Sequence, residues 1–288
     1  MNFNSYPMKK IISICAFLFP LLGNAQERQE KIVKDINIPV NTVSTLWVDN
    51  INGSVKIEGY DGEAIKFEIN RSMKSQDQKE LDEDWNKLKL VFEQHHDTVE
   101  VYVDGLCDCP CHSHRNHYGS DCDFNSDFSY DLSIQVPLKT NLRISTVNKG
   151  DITIDKVSGS FKIENVNGGI SMDKVDGPTD VHTINGDVLI RYTHNPADRS
   201  RYYTLNGKLT VCFQPDLSAD MSFKSFNGEF YTDFDYSMQP AFGLVSTGSE
   251  GKGTTYKVDD RTAARVGRGG VNLAFETFNG NIFIRKNK

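Results

Sequence analysis

The sequence predicts a mainly β protein organised by a repeat, and three observations predict it. Gly150, Gly159, Gly168, Gly177 and Gly186 recur every nine residues, opening the units GDITIDKVS, GSFKIENVN, GGISMDKVD, GPTDVHTIN and GDVLIRYTH. Apolar residues recur in phase with them, two positions on (Ile152, Phe161, Ile170, Val188), four on (Ile154, Ile163, Met172, Val181, Ile190) and seven on (Val157, Val166, Val175, Ile184). The dipeptide Asn-Gly appears six times, at Asn52, Asn167, Asn185, Asn206, Asn227 and Asn279.

Side chains two and four positions after the glycine share one face of a short strand. The step from the fourth to the seventh position is odd, so the chain must turn to bring the third apolar residue inward. Glycine preceded by Asn, Asp or Ser supplies that turn and tolerates positive φ. Asn-Gly is also the strongest short hairpin signal, so an antiparallel β meander is the alternative. Strands between such closely spaced turns would make very short hairpins, whereas like positions in phase pile into ladders over a continuous core. The expected fold is a β-solenoid of nine-residue half-coils, with two short strands and 18 residues per coil.

Taken in order, the chain opens with a segment that reads as an export signal over residues 1–25. Lys9 and Lys10 form its positive region, Ile11 to Leu22 its apolar region, and Gly23-Asn24-Ala25 a small-residue cleavage site. The apolar run is shorter than the about 20 residues a spanning helix needs. Cys15 lies inside that run behind Ile14 rather than behind a small residue, which favours a soluble exported protein over a lipid-anchored one. Residues 26–288 are expected to form a single β-repeat domain in the periplasm or at the cell surface. Removing the signal takes two lysines and no acids, leaving 30 basic against 39 acidic residues. That balance argues against nucleic acid, whose affinity rests on basic contacts to phosphate.

Asn50 to Ile57 carry the repeat signature early, and Gly62 follows Gly53 by nine. Residues 74–90, KSQDQKELDEDWNKLKL, interrupt it with helical composition and with Leu81, Trp85 and Leu88 near helical spacing. Ser75 ahead of Asp77, Gln78 and Glu80 suits a helix start. One amphipathic helix is expected there, flanking or capping the repeat. Val99 to Val103 and Ser129 to Pro137 read as strands, so residues 104–127 form a long loop between them. His194 to Asp198 reads as a small insertion, and TLNGKLTV, SFNGEFYT and TFNGNIFI are later units. The last ends at Arg285, and no further anchoring domain is expected.

The runs STVNKGDITI, ENVNGGISM and HTINGDVLI, with the closing GRGGVNLAFETFNGNIFIRK, resemble the bacterial putative-adhesin, β-strand-repeat family of unknown function. The resemblance covers roughly residues 40–286, with the helix and the long loop as insertions. It implies an exported repeat protein with a structural or adhesive role, and it carries no catalytic residues.

The long loop concentrates the chemistry. Cys107, Cys109, Cys111 and Cys122 stand beside His112, His114 and His117. Four thiolates or imidazoles suffice for tetrahedral zinc, and thiolates also suit Cu(I). Cys-x-Cys-x-Cys with Pro110 inside it lacks the usual zinc spacing, and an exported chain meets oxidising conditions in which cysteines pair. A disulfide from Cys107, Cys109 or Cys111 to Cys122 would stabilise by about 3 kcal/mol in the chain-entropy picture. Disulfide staple and metal site both remain open, and the histidines are what a staple leaves unexplained. Cys212, in a strand context, is the odd thiol, expected to be buried and inert.

His95-His96-Asp97 offers ligand types but reads first as a solvated turn, and His182 falls at an outward repeat position. Ser246 to Gly253 lacks the first glycine and the final Ser or Thr of a phosphate loop. No Gly-x-Ser-x-Gly nucleophile signature occurs. The expected function is a non-enzymatic structural or adhesion-like role, binding protein or glycan at the envelope without a cofactor. Its alternative is a zinc- or copper-binding envelope protein using the Cys/His loop, and a third reading is a glycan-active enzyme on a β-helix scaffold.

Overall fold

Alternation of buried and exposed side chains builds most elements of this chain. The structure, a computed structural model, describes residues 26–38, 43–105, 124–239, 244–247, 255–258 and 262–287. The N-terminal part forms β1 (Gln26–Asn37), β2 (Ser44–Asp49), β3 (Val55–Tyr60), β4 (Ala64–Ser75), α1 (Gln78–Lys87), β5 (Lys89–His95), β6 (Thr98–Asp104) and β7 (Asp127–Pro137). The repeat block forms β8 (Thr140–Thr146), β9 (Ile152–Asp155), β10 (Phe161–Asn167), β11 (Ile170–Val175), β12 (Thr179–Asn185), β13 (Val188–Tyr192), β14 (Ser200–Asn206) and β15 (Leu209–Phe213). The C-terminal part forms β16 (Ala219–Asn227), β17 (Phe230–Thr232), β18 (Tyr236–Gln239), β19 (Leu244–Thr247), β20 (Thr255–Val258), β21 (Thr262–Val266), β22 (Val271–Asn279) and β23 (Ile282–Lys286).

The fold is mainly β, with two large mixed sheets that do not close into a barrel. One has ten strands in the order β1-β4-β7-β3-β9-β11-β13-β15-β23-β17, the other eleven in the order β18-β21-β16-β22-β14-β12-β10-β8-β2-β6-β5. In the repeat block alternate strands go to alternate sheets, and each pairs parallel with the strand one repeat pair later. Ile170 lies opposite both Ile152 and Val188, and Phe161 opposite Thr179, at the 18-residue step. Val181 pairs with Tyr202 at a step of 21, and residues 194–198 absorb the difference. Antiparallel pairs appear at the ends, in β1–β4–β7, β5–β6 and β16–β21–β18.

One buried cluster joins the inner faces of the two sheets, with Ile152, Ile154, Ile170, Met172, Val188 and Ile190 from one and Leu142, Ile144, Phe161, Ile163 and Val181 from the other. Toward the C-terminal end this core turns aromatic. Tyr202 stacks on Phe275 at 4.8 Å, Phe275 on Phe223 at 5.3 Å, and the Tyr192 and Tyr202 hydroxyls share a buried hydrogen bond of 2.8 Å.

Four expectations need correction. First, the seventh position is inward only in the ten-stranded sheet. There Lys156 and Lys174 take left-handed φ of 57° and 50°, and the next residue, Val157 or Val175, turns inward and is buried. In the eleven-stranded sheet the strand runs straight on, so the sixth position is inward instead, filled by buried Asn165, Thr183 and Thr204. Val166, Ile184 and Leu205 consequently face outward and are half-buried.

Second, most Asn-Gly glycines are needed for space rather than for positive φ. A Cβ on Gly168 would lie 2.2 Å from the Gly150 carbonyl oxygen, and one on Gly186 would lie 2.2 Å from that of Gly168. The inward sixth position satisfies these carbonyls. Thr183 Oγ1 donates to Gly168 O at 2.9 Å, and Thr204 Oγ1 to Gly186 O at 2.8 Å. The asparagines form a column of side-chain bonds, each Nδ2 donating to the next Oδ1. The column runs Asn227, Asn279, Asn206, Asn185, Asn167, Asn148 at 2.8–2.9 Å per step.

Third, the stacking order departs from chain order at both ends. The strands β22 and β23 insert between β14–β15 and β16–β17, and β2 and β3 lie between β8–β9 and β6–β7. Fourth, the helix is shorter than 74–90. Residues 74 and 75 complete β4, Asp77 caps α1 by accepting from the Lys79 and Glu80 amides, and Leu88 is already extended. Ser75 sits two residues before the cap, its Oγ accepting from the Asp77 amide at 3.3 Å. The helix packs on β4 and β1. Buried Arg71 fixes it, its guanidinium 3.7 Å from the Trp85 ring centre and donating to the carbonyls of Trp85 and Leu88.

The glycine column makes a paired prediction. Gly168→Ala forces a methyl into the neighbouring backbone and lowers urea-measured stability by about 3 kcal/mol, the upper part of the overpacking range. A Cβ on adjacent Gly169 meets nothing closer than 3.2 Å, so Gly169→Ala costs about 1 kcal/mol or less.

Candidate functional site

Parallel strands held in register place their outward side chains in rows, and the outer face of the eleven-stranded sheet is organised this way. One row runs Glu93, Glu100, Trp47, Arg143, Lys162, Asp180, Arg201, Ala274, Ser222, Ala263, Gln239 across all of β5, β6, β2, β8, β10, β12, β14, β22, β16, β21 and β18. Beside it runs Tyr102, Asp49, Ser145, Glu164, His182, Tyr203, Glu276, Lys224. The Arg143 guanidinium lies over the Trp47 ring at 3.9 Å, and the His182 ring meets Tyr203 edge-on at 4.4 Å.

Two hollows of about 580 and 510 Å³ share Arg199 and Ala274 on this face. The first is walled by Lys162, Asp180, His182, Arg201, Tyr203 and Glu276. The second takes its floor from small residues in register, Ala274, Ser222 and Ala263, and ends at Gln239 and Asp220. Together they form a groove across the strands, polar toward Lys162 and His182 and mostly apolar toward Ala274 and Ala263, with Arg199 entering from the insertion before β14.

Several charges along the groove are paired, and none of the pairs is buried. Lys162 meets Glu164 at 3.2 Å. Arg265 Nε donates to Asp220 at 2.6 Å, and this bond, aided by the Gly270 amide, holds the Asp220 carboxyl below its usual range despite partial burial. Burial first, then the Glu276 charge, pushes the Tyr203 hydroxyl up. The groove therefore presents guanidinium and ammonium donors, carboxylate acceptors and a Tyr–His edge at neutral pH, a set able to bind rather than one arranged around a nucleophile.

The expected loop residues Cys107, Cys109, Cys111, His112, His114, His117 and Cys122 lie outside the described residues. The strand before them, β6, belongs to the eleven-stranded sheet, and the strand after them, β7, to the ten-stranded one. Of the second cluster, His95 ends β5, His96 takes the turn at φ 58°, and His95 Nε2 lies 3.1 Å from Glu93. His194 pairs with Asp176 at 3.1 Å. Cys212 is a free, half-buried thiol whose pKa burial pushes up, away from reactive thiolate. Of the segment 246–253, Ser246 and Thr247 end β19, which pairs antiparallel with β20, and residues 248–253 lie outside the described residues. The groove itself was missed, although its signal was available in the first and second outward positions after each strand start, where Lys162, Glu164, Asp180, His182, Arg201 and Tyr203 recur in phase.

No protein-family model matches the chain, and no curated protein matches its sequence. Among solved structures it is similar to a putative cell adhesion protein from Clostridium sporogenes, with 12% identity and TM-score 0.43 over 90% of this chain and all of that one. A putative adhesin from Bacteroides fragilis is similar at 9% identity and TM-score 0.38, over 90% and 97% of the two chains. A putative lipid binding protein from Parabacteroides distasonis is similar at 11% identity and TM-score 0.28, over 92% and 98%.

The Asp220–Arg265 pair predicts a pH signature. A carboxyl depressed in the folded state adds stability above its unfolded pKa, and that contribution is lost as pH falls through the folded value. The urea stability of Arg265→Met should therefore fall below the parent's at neutral pH. The small gap should close in acid, below the lowered Asp220 pKa.

Proposed function

We propose that this is an exported, non-enzymatic binding protein of the cell envelope, and that the groove across the eleven-stranded sheet takes a glycan chain. The reading includes a β-solenoid architecture for the repeat block, which the parallel 18-residue register supports. It also includes cleavage of residues 1–25 and a single domain over 26–288, supported by the signal pattern at the N-terminus.

The observation that carries the glycan reading is the groove's length and lining. It crosses several strands, alternates donors and acceptors, and has a floor of small side chains on which a sugar ring can lie. A protein partner is held mainly by large apolar or Arg anchors in desolvated pockets, and this groove offers exposed charges beside a floor of small side chains instead. The Cys/His loop is proposed to be held together by disulfides or by a metal.

Binding of untagged protein to a panel of neutral and acidic oligosaccharides tests this. Ala274→Trp fills the floor without touching the core, and Arg201→Ala removes a wall donor. At least one oligosaccharide class should bind the parent, with affinity reduced about tenfold or more by Ala274→Trp while circular dichroism is unchanged. Binding that ignores both substitutions, or no binding by any class, overturns the proposal.

A further inference from the structure

Arg199 and Arg201 differ from most arginines of the chain. Both are exposed, and among the described residues neither guanidinium has a carboxylate within salt-bridge distance. Arg71, Arg191, Arg265 and Arg285 each hold one. The backbone turns the two arginines the same way. Ser200 between them is buried, its Oγ accepting from the Thr179 amide at 3.1 Å and donating to the Asp198 carbonyl at 3.3 Å. Asp198 Oδ1 accepts from the Arg199 amide at 2.6 Å. These bonds lock the start of β14, so Arg199 and Arg201 both project from the outer face, about 7 Å apart along the strand. Three hollows meet at Arg199: the two of the groove, and a third of about 350 Å³ lined by Ser160, Pro178, Thr179 and Asp180 with both arginines.

The acids that line these hollows do not balance the pair. Glu164 is held by Lys162, Glu276 by Lys224 and Asp220 by Arg265. Asp180 is the register neighbour of Arg201 on β12, and no ion pair joins them. One carboxylate therefore stands against two guanidinium groups, on a chain whose formal net charge is −7. A single solvated arginine on a surface needs no ligand. Two of them, fixed side by side where three hollows meet on an acidic chain, suit an anionic one.

We propose that the groove's ligand is an acidic glycan, a chain containing uronic acid, with one carboxylate seated on Arg199 and Arg201. The inference rests on the glycan reading above and adds the chemical class. A guanidinium presents a planar fork that matches a carboxylate bidentately, and the charge-assisted bond is roughly twice as strong as a neutral one. A sugar hydroxyl in the same place leaves most of that capacity unused. Asp180 beside the pair is an acceptor for ring hydroxyls. Ala274, the neighbour of Arg201 on β22, leaves room for the ring itself. Lys162 lies two strands from Arg201, about 10 Å along the groove, where a second carboxylate further down the chain can meet it.

The test measures binding of the untagged protein to hexasaccharides of galacturonate, of mannuronate and of hyaluronan, each beside its carboxyl-reduced neutral form, with a sulfated dextran fragment as a further arm. At least one uronate should bind about tenfold or more tightly than its reduced form, and its affinity should fall as sodium chloride is raised. Arg199→Ala and Arg201→Ala should each weaken it about tenfold. Lysine at either position should recover only part of the loss, because an ammonium keeps the charge but not the fork. Arg191→Ala, on the outer face of the other sheet, makes the same change in net charge and should leave the affinity unchanged. Circular dichroism should be unaltered in every variant. Uronates that bind no tighter than their reduced forms, a uronate affinity indifferent to both arginine substitutions, or binding confined to the sulfated fragment overturns the inference. If the reduced chains bind as well as the uronates and Ala274→Trp abolishes both, the glycan reading stands and the acidic class falls. If no chain of any kind binds, both fall together.

Discussion

The Asn-Gly corner is the constraint on which the rest of this structure depends. Successive corners approach so closely that the space of a Cβ on Gly168 or Gly186 is already occupied by the neighbouring glycine's carbonyl. Glycine is thus required by contact between backbones. Once the corners touch, the asparagines before them fall into side-chain bonding distance, and an inward Thr reaches the glycine carbonyl. Each corner then fixes the vertical position of two strands, one in each sheet. A one-residue slip would break the column and turn the apolar face outward.

Fixed register has a consequence on the outside as well. Rows of outward side chains line up across many strands, and a ligand groove needs only suitable residues at equivalent positions. The small-residue floor at Ala274, Ser222 and Ala263 and the polar wall from Lys162 to Arg201 arise in this way. The same alignment opposes Glu93 to Glu100 at the other end of the face, where the strands become an antiparallel hairpin. The residues of the proposed groove sit on a surface that the core does not need, so they can vary without disturbing the stack.

Much of this was legible in the sequence because its cause is local and periodic. The nine-residue glycine spacing, the apolar second and fourth positions and the Asn-Gly turns each report a constraint that recurs along the repeat. Other features depend on partners distant in the chain. Whether Val157 or Val166 turns inward depends on left-handed φ at Lys156 and continued extension at Asn165, although the two units read alike. The insertion of β22–β23 between earlier strands leaves no trace in local periodicity. The helix was recognised by composition, but its ends were set by the Asp77 cap and by the Arg71 contacts at Trp85 and Leu88. The groove was legible only from positions between the apolar ones, and the pairing of Glu93 with Glu100 only from the hairpin register.

The asparagine column offers the most direct measurement of the central claim. Asn185 bonds to a neighbour on each side, Asn167 and Asn206, whereas Asn227 ends the column with a single bond to Asn279. With about 0.5–1.5 kcal/mol per net hydrogen bond, urea unfolding should show Asn185→Ala costing about twice as much as Asn227→Ala, at unchanged m. Equal costs at the two positions, or no cost at Asn185, would contradict the view that stacked corners hold the sheets in register.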